Sequence, residues 1–161
     1  MLNDTLVPRE TIGMTLRLHT ILIALACAAL LLLVPAVSHA AAGRLNVAIY
    51  LSSQSMQIEA DNHVLHNWAV STARPGYRTP IGTFSPSRLE RVWYSSIYDN
   101  APMPYSVFFH GGYAIHGTSE ISKLGRPASH GCVRLHPDNA RILFDLIRSY
   151  GKSATTIVVR R

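Results

Sequence analysis

The chain is short of charge and short of sulfur: of its 161 residues 15% are charged, and two are cysteines, Cys27 and Cys132. So little charge beside 48% hydrophobic residues excludes a disordered chain. Two cysteines exclude a disulfide framework and permit one bridge at most. Internal repeats and a low-complexity linker are absent, which leaves one ordinary domain plus any targeting segment. Of the charge that is there, Lys and Arg outnumber Asp and Glu by 15 to 9, a net +6. That balance suits an anionic partner: nucleic acid, a membrane surface or a wall polymer. Arg88, Arg91, Arg126, Arg141 and Arg148 are dispersed and no recognition motif accompanies them, so nucleic acid is not expected. Attraction to an anionic wall or membrane surface remains, screened over about 8 Å at physiological salt.

The N-terminus carries an apolar run from Ile21 to Val37, then Ser38-His39-Ala40. A basic start, an apolar middle and a small-x-small exit predict a secretory signal peptide over residues 1–40, cleaved after Ala40. Asp4 and Glu10 make the stretch before the run unusual, whereas a start at Met14 leaves a compact segment with Arg17, so Met14 is expected to be the initiator. The competing reading is an uncleaved anchor, because the run is only slightly shorter than the roughly 20 residues a spanning helix needs. A lipid-modified Cys27 is discounted, since Leu30 to Leu33 still follow it. Either way residues 41–161 are expected outside the cytoplasm, in the periplasm or at the wall. Loss of residues 1–40 removes Arg9 and Arg17 with Asp4 and Glu10, so the whole +6 stays with the domain. It also removes Cys27. The single Cys132 is a liability in an oxidising compartment unless buried or used.

Short β-rich runs predict strands over Leu45 to Leu51, Gln54 to Ala60 and Val64 to Ser71, the last two joined at Asp61-Asn62 in an antiparallel meander. Arg74-Pro75-Gly76-Tyr77 fits a type II turn. Further strands are expected around Ile81 to Phe84, over Val92 to Ile97, over Tyr105 to Phe109 and, at the end, over Thr155 to Val159. One helix is expected from Asp138 to Tyr150, with Ile142, Leu143, Leu146, Ile147 and Tyr150 on its core face and Gly151 as cap. The fold class is mainly β with one packed C-terminal helix.

The chemistry is densest between Tyr105 and His136. There the chain reads Ile115-His116-Gly117 and, after a polar loop, Ser129-His130-Gly131-Cys132-Val133-Arg134. A thiol becomes a useful nucleophile when an imidazole accepts its proton. His130 shares a face with Cys132 on an extended segment, and His116 can approach from a neighbouring strand, so both are candidate bases. The N–H groups of Gly131 and Cys132 are candidate oxyanion donors.

These motifs resemble the signature of the L,D-transpeptidase catalytic domain, the YkuD-type family. The likeness extends over roughly Leu45 to Val159, through Tyr77 to Phe84, Met103-Pro104-Tyr105 and the helix. Ala73, where the family usually has glycine after Ser-Thr, and Gly151 to Ala154 depart from the pattern without touching the motif. The resemblance implies a β-sandwich-like domain that acts on peptidoglycan stem peptides. In that chemistry a cysteine attacks the carbonyl of the third, diamino-acid residue, expels D-alanine, and passes the acyl group from a thioester to a second stem, giving a 3-3 cross-link, or to a lipoprotein. Carried over, Cys132 is the nucleophile, His116 the base and the Gly117 carbonyl the group that holds the imidazole. The resemblance implies that His130 assists by hydrogen bonding near the oxyanion, that Tyr105 lines the acyl pocket and that Arg134 pairs with a substrate carboxylate or braces the loop; Gly131 is expected at the oxyanion and Ser129 at the substrate. It implies no metal and no cofactor, and a monomer is expected.

Other readings compete. Cys132 can be an inert buried thiol. His116, His130, Cys132 and His136 can ligate zinc, although C-x-x-C and H-x3-H pairs are absent. His110-Gly111-Gly112 has the form of an esterase oxyanion loop, but no G-x-S-x-G supplies a serine, and a turn between strands is expected. Arg134 is as readily a structural ion-pair partner. An L,D-carboxypeptidase follows if water replaces the amine, and an idle wall-binding module is the alternative from another class.

Overall fold

The structure, a computed structural model, describes residues 43–161. The expected leader, its cleavage after Ala40 and the start at Met14 lie outside the described residues.

Among the described residues nine strands and one α-helix follow in order, with a single 3-10 turn at Ile121–Lys123: β1 Leu45–Tyr50, β2 Ser55–Ala60, β3 His63–Ala69, β4 Gly82–Phe84, β5 Arg88–Glu90, β6 Ser106–His110, β7 Tyr113–Gly117, β8 Val133–Leu135, α1 Pro137–Tyr150 and β9 Thr155–Arg160. They form a five-stranded sheet ordered β3-β2-β1-β9-β4 and a four-stranded sheet ordered β5-β6-β7-β8. The mainly β class with one packed helix is what the sequence predicts. Strict alternation drives the first sheet. Leu45, Val47 and Ile49 of β1, Met56 and Ile58 of β2, and Ile157 and Val159 of β9 are buried while their neighbours are half-exposed. The second sheet meets them with Val107, Phe109, Ile115, Val133 and Leu135, so one core lies between the two inner faces. Each such side chain contributes about 1.5–3 kcal/mol when fully buried.

Tight turns set the antiparallel register. Asp61 and Asn62, both at positive φ (51° and 66°), close β2 onto β3, and Gly111-Gly112 close β6 onto β7, the turn expected at that triplet. Gly76 at φ 87° and the Tyr77 N–H to Arg74 carbonyl bond of 3.0 Å form the Arg74–Tyr77 turn. β1 runs parallel to β9, and β7 to β8.

α1 starts at His136, whose Nδ1 accepts the Asp138 N–H at 3.3 Å, with Pro137 in the first turn, and it ends at Gly151 (φ 91°). Its buried face is Ala140, Leu143, Phe144 and Ile147. Phe144 replaces the expected Ile142 and Leu146, which flank the face half-buried.

The strand expected over Val92 to Ile97 does not form. Only the bridge Tyr94 to Pro102 is made there. Pro102 and Pro104 lack the N–H groups a ladder needs. Ser95 Oγ accepts the N–H groups of Ile97 (3.3 Å) and Tyr98 (3.1 Å), which curls the chain into a turn finished by Asp99 and Asn100 at positive φ. Bonds from Tyr105 N to Arg91 O and from Met103 N to Trp93 O close the excursion 91–105 at its base.

Candidate active site

The outer face of the four-stranded sheet carries the chemistry. In the parallel β7–β8 pair Ile115 lies opposite Val133 and His116 opposite Arg134, so Ala114, His116, Cys132 and Arg134 share the face turned away from the core. The excursion 91–105 overhangs it, leaving a cleft of about 780 Å³ reached by His116, His130, Cys132 and Arg134 and walled by Trp93, Tyr98 and Met103. Cys132 packs half-buried on Met103, Phe108 and Ala114.

His116 is 6% exposed, and its Nδ1 is 2.8 Å from the Gly117 carbonyl. A carbonyl only accepts, so Nδ1 carries the hydrogen and Nε2 is left with a lone pair. Burial, opposed by the Gly117 carbonyl and aided by the nearby Arg134 charge, lowers the His116 pKa to about 4. Burial pushes the Cys132 thiol up, offset in part by a backbone bond at Ala114 and by Arg134. The resting pair is therefore neutral thiol and neutral imidazole. Gly117 is a glycine because a Cβ would sit 3.1 Å from Pro104 Cγ and from Pro137 Cα.

The turn before Cys132 is tied on every side but one. Ser129 Oγ donates to the Cys132 carbonyl (2.6 Å) and accepts the Gly131 N–H (3.0 Å), while Thr79 Oγ1 donates to the Gly131 carbonyl (2.9 Å). Gly131 sits at φ 133°, and a Cβ there would fall 2.5 Å from Tyr113 Cε1 and 2.8 Å from the Arg78 carbonyl. Two expectations change as a result. The Gly131 N–H is occupied, so of the two expected oxyanion donors only the Cys132 N–H has no acceptor among the described residues. Ser129 is buried and braces the turn from within.

His130 makes no hydrogen bond among the described residues. It is held by aromatic rings, stacked on Tyr98 (4.3 Å, 12°) and edge-on to Tyr77 (4.6 Å), and burial with Arg74 and Arg134 lowers its pKa. Tyr105 stands apart from the cleft. Its φ of 55° turns the side chain toward α1, where it meets Phe144 edge-on at 5.9 Å, so it cannot line an acyl pocket there. Arg134 is 18% exposed and bonds Glu120 Oε2 at 2.5 Å, and Lys123 pairs with the other Glu120 oxygen. Among the described residues no three His, Cys, Asp or Glu side chains converge as a metal site.

Sequence reasoning missed Tyr98, Glu120 and Arg88. The aromatic run Trp93 to Tyr98 ending at Asp99-Asn100 was the available signal for Tyr98. Glu120 and Arg88 had none, because the partners that bring them to the cleft, Arg134 for Glu120 and Phe108 for Arg88, are distant in the chain.

The family model described as the L,D-transpeptidase catalytic domain, YkuD, matches residues 46–159. The YkuD protein of Bacillus subtilis strain 168, assigned to the L,D-transpeptidases, is 22% identical over 95 residues, 56% of this chain and 53% of that protein. The chain thus spans about half the length of that curated relative. Among solved structures, the L,D-transpeptidase of Xylanimonas cellulosilytica superposes with a TM-score of 0.63 at 27% identity, covering 75% of this chain and 62% of that one. The LD transpeptidase LdtMt1, solved in complex with imipenem, gives 0.65 at 26% identity, with 73% and 59% covered.

Proposed function

The chain belongs to the L,D-transpeptidase catalytic domain family, and from that premise we propose that it is an exported cysteine acyltransferase working on peptidoglycan stem peptides. One observation carries the reading: His116, held through Nδ1 by the Gly117 carbonyl and so left with its lone pair on Nε2, lines the same cleft as Cys132.

The neutral resting pair orders the steps. Cys132 gives its proton to His116 Nε2 as sulfur closes on the carbonyl of the third, diamino-acid residue, because neither ion is stable in the closed ground state. The developing oxyanion takes the Cys132 N–H, the free donor of the turn. Collapse breaks the amide, the departing D-alanine amine takes the proton from His116, and a thioester remains on Cys132. The amine of a second stem attacks the thioester, His116 accepts its proton, and the proton returns to the Cys132 sulfur as the 3-3 cross-link leaves. A lipoprotein amine fits the same final step. Export rests on residues 1–40, and the net +6 suits the anionic wall.

The test incubates residues 41–161 with a tetrapeptide muropeptide and compares Cys132→Ala by intact mass and product analysis. An acyl adduct, D-alanine release and a dimeric product are expected from the unmodified protein alone. No adduct and no D-alanine release would sink the enzyme reading in favour of a binding module. A tripeptide without dimer would select hydrolysis.

A further inference from the structure

The registers of the four-stranded sheet draw one row across the floor of the cleft. Arg88 of β5 lies opposite Phe108 of β6, and Phe108 opposite Ala114 of β7. The β7–β8 register, Ile115 opposite Val133, extended by one residue, sets Ala114 opposite Cys132. A cation therefore begins the row that the thiol ends.

Arg88 is held in a defined place. Its guanidinium carbon is 4.1 Å from the Phe108 ring centre and 4.2 Å from that of Trp93, a cation between two aromatic faces. It thus stands over the β6 strand, two strand spacings, about 10 Å, from the strand of Cys132. The other arginine on this face, Arg134, is taken up by Glu120. Arg88 has only a loose contact, Nε to Glu90 Oε1 at 3.9 Å, and its terminal N–H groups donate to no acceptor among the described residues. An immobilised planar guanidinium with a free edge is suited to a carboxylate held by two parallel bonds.

We propose that Arg88 selects the donor stem, binding a free carboxylate at the distal end of the diamino-acid side chain and discriminating against stems that carry a carboxamide there. The inference rests on the peptidoglycan reading above. The distal carboxylate lies along the side chain of the same residue whose carbonyl reacts, about 7 Å away when that chain of carbon–carbon bonds is extended, and an N–H···O bond of about 2.8 Å closes the gap between Cys132 and Arg88.

Binding is measured by calorimetry on the Cys132→Ala protein, so the result does not depend on turnover and stands or falls apart from the enzyme reading. The ligands are tetrapeptide stems with the distal group as acid or as amide, and a third with the terminal D-alanine as its amide. The acid should bind roughly tenfold more tightly than the distal amide. That ratio should fall toward one in Arg88→Gln and be partly kept in Arg88→Lys, which retains charge without the planar fork. Where Cys132 is intact, the same discrimination should appear in KM more than in kcat. Equal binding of acid and distal amide, a ratio unchanged by Arg88→Gln in a protein with unaltered circular dichroism, or discrimination that follows the terminal carboxylate instead would each overturn the assignment.

Discussion

The two sheets use the same alternation to opposite ends. In the five-stranded sheet the inner residues of β1, β2 and β9 are buried, and the outer ones are half-exposed and carry none of the candidate chemistry. In the four-stranded sheet the inner residues serve the same core, but the outer face holds His116, Cys132 and Arg134 beneath the excursion 91–105. The difference lies in the cover. A roof removes water from polar groups, shifts their proton affinities and makes each hydrogen bond matter more. Stability should therefore be concentrated in the first sheet and reactivity in the second.

That division can be broken by substitution. His116→Gln should cost roughly 10²–10⁴ in kcat/KM with little change in secondary structure; steady-state kinetics within tenfold of the parent would remove His116 as the base. Ile58→Ala, in the fully buried centre of the first sheet, should cost about 2–5 kcal/mol in denaturant unfolding while activity per folded molecule stays within a factor of about two. A matching loss of activity would mean that the two regions are energetically coupled. Gly131→Ala forces a side chain into φ 133° against Tyr113 and Arg78, and should weaken both folding and acyl-adduct formation, whereas Gly112→Ala meets nothing within 4 Å and should be close to neutral in both assays.

Proton titration sharpens the contrast. His116 has a folded pKa of about 4 against an unfolded value of 6.5. Between those limits the unfolded chain binds more protons, so stability rises with pH through the window and is lost as pH falls from 6.5 toward 4, by about 3 kcal/mol at most from this group. Unfolding midpoints across pH 4–7 should show that slope, and His116→Gln should flatten it. The same titration puts the acid limb of kcat/KM near pH 4. Alkylation of Cys132 should accelerate with pH above neutrality, because the resting thiol is protonated; a rate independent of pH near 7 would indicate a preformed ion pair instead. The smallest effect is expected at Lys123→Ala, an exposed partner of Glu120, which should change stability by no more than about 1 kcal/mol and leave Arg134 in place.

Much of this was legible in the chain. The meander, the turns at Asp61-Asn62 and Gly111-Gly112, the helix and the terminal strand follow from local pattern, since period, turn chemistry and capping are set by residues a few positions apart. The Val92 to Ile97 strand was misread because its aromatic β propensity was visible while the prolines opposite it were not yet opposite. Phe144 took the helix face because Ala140, Leu143, Phe144 and Ile147 stand at i, i+3, i+4 and i+7, a stripe that leaves Ile142 and Leu146 at its edges. Tyr105 was misplaced because one positive φ turned a side chain from the cleft to the core.

By itself the sequence determined the family, the mainly β class and the two motifs His116-Gly117 and Ser129 to Arg134, because those are matters of residue type and local order. Only the tertiary structure decided what each group is free to do. The parallel pairing of β7 with β8 brings His116 and Cys132 to one face, the Ser129 hydroxyl takes the Gly131 N–H, and Glu120 occupies Arg134 while Arg88 has only its loose contact with Glu90 among the described residues. Hydrogen bonds and ion pairs are exclusive, and which partner takes a group depends on segments that meet only when the chain has folded.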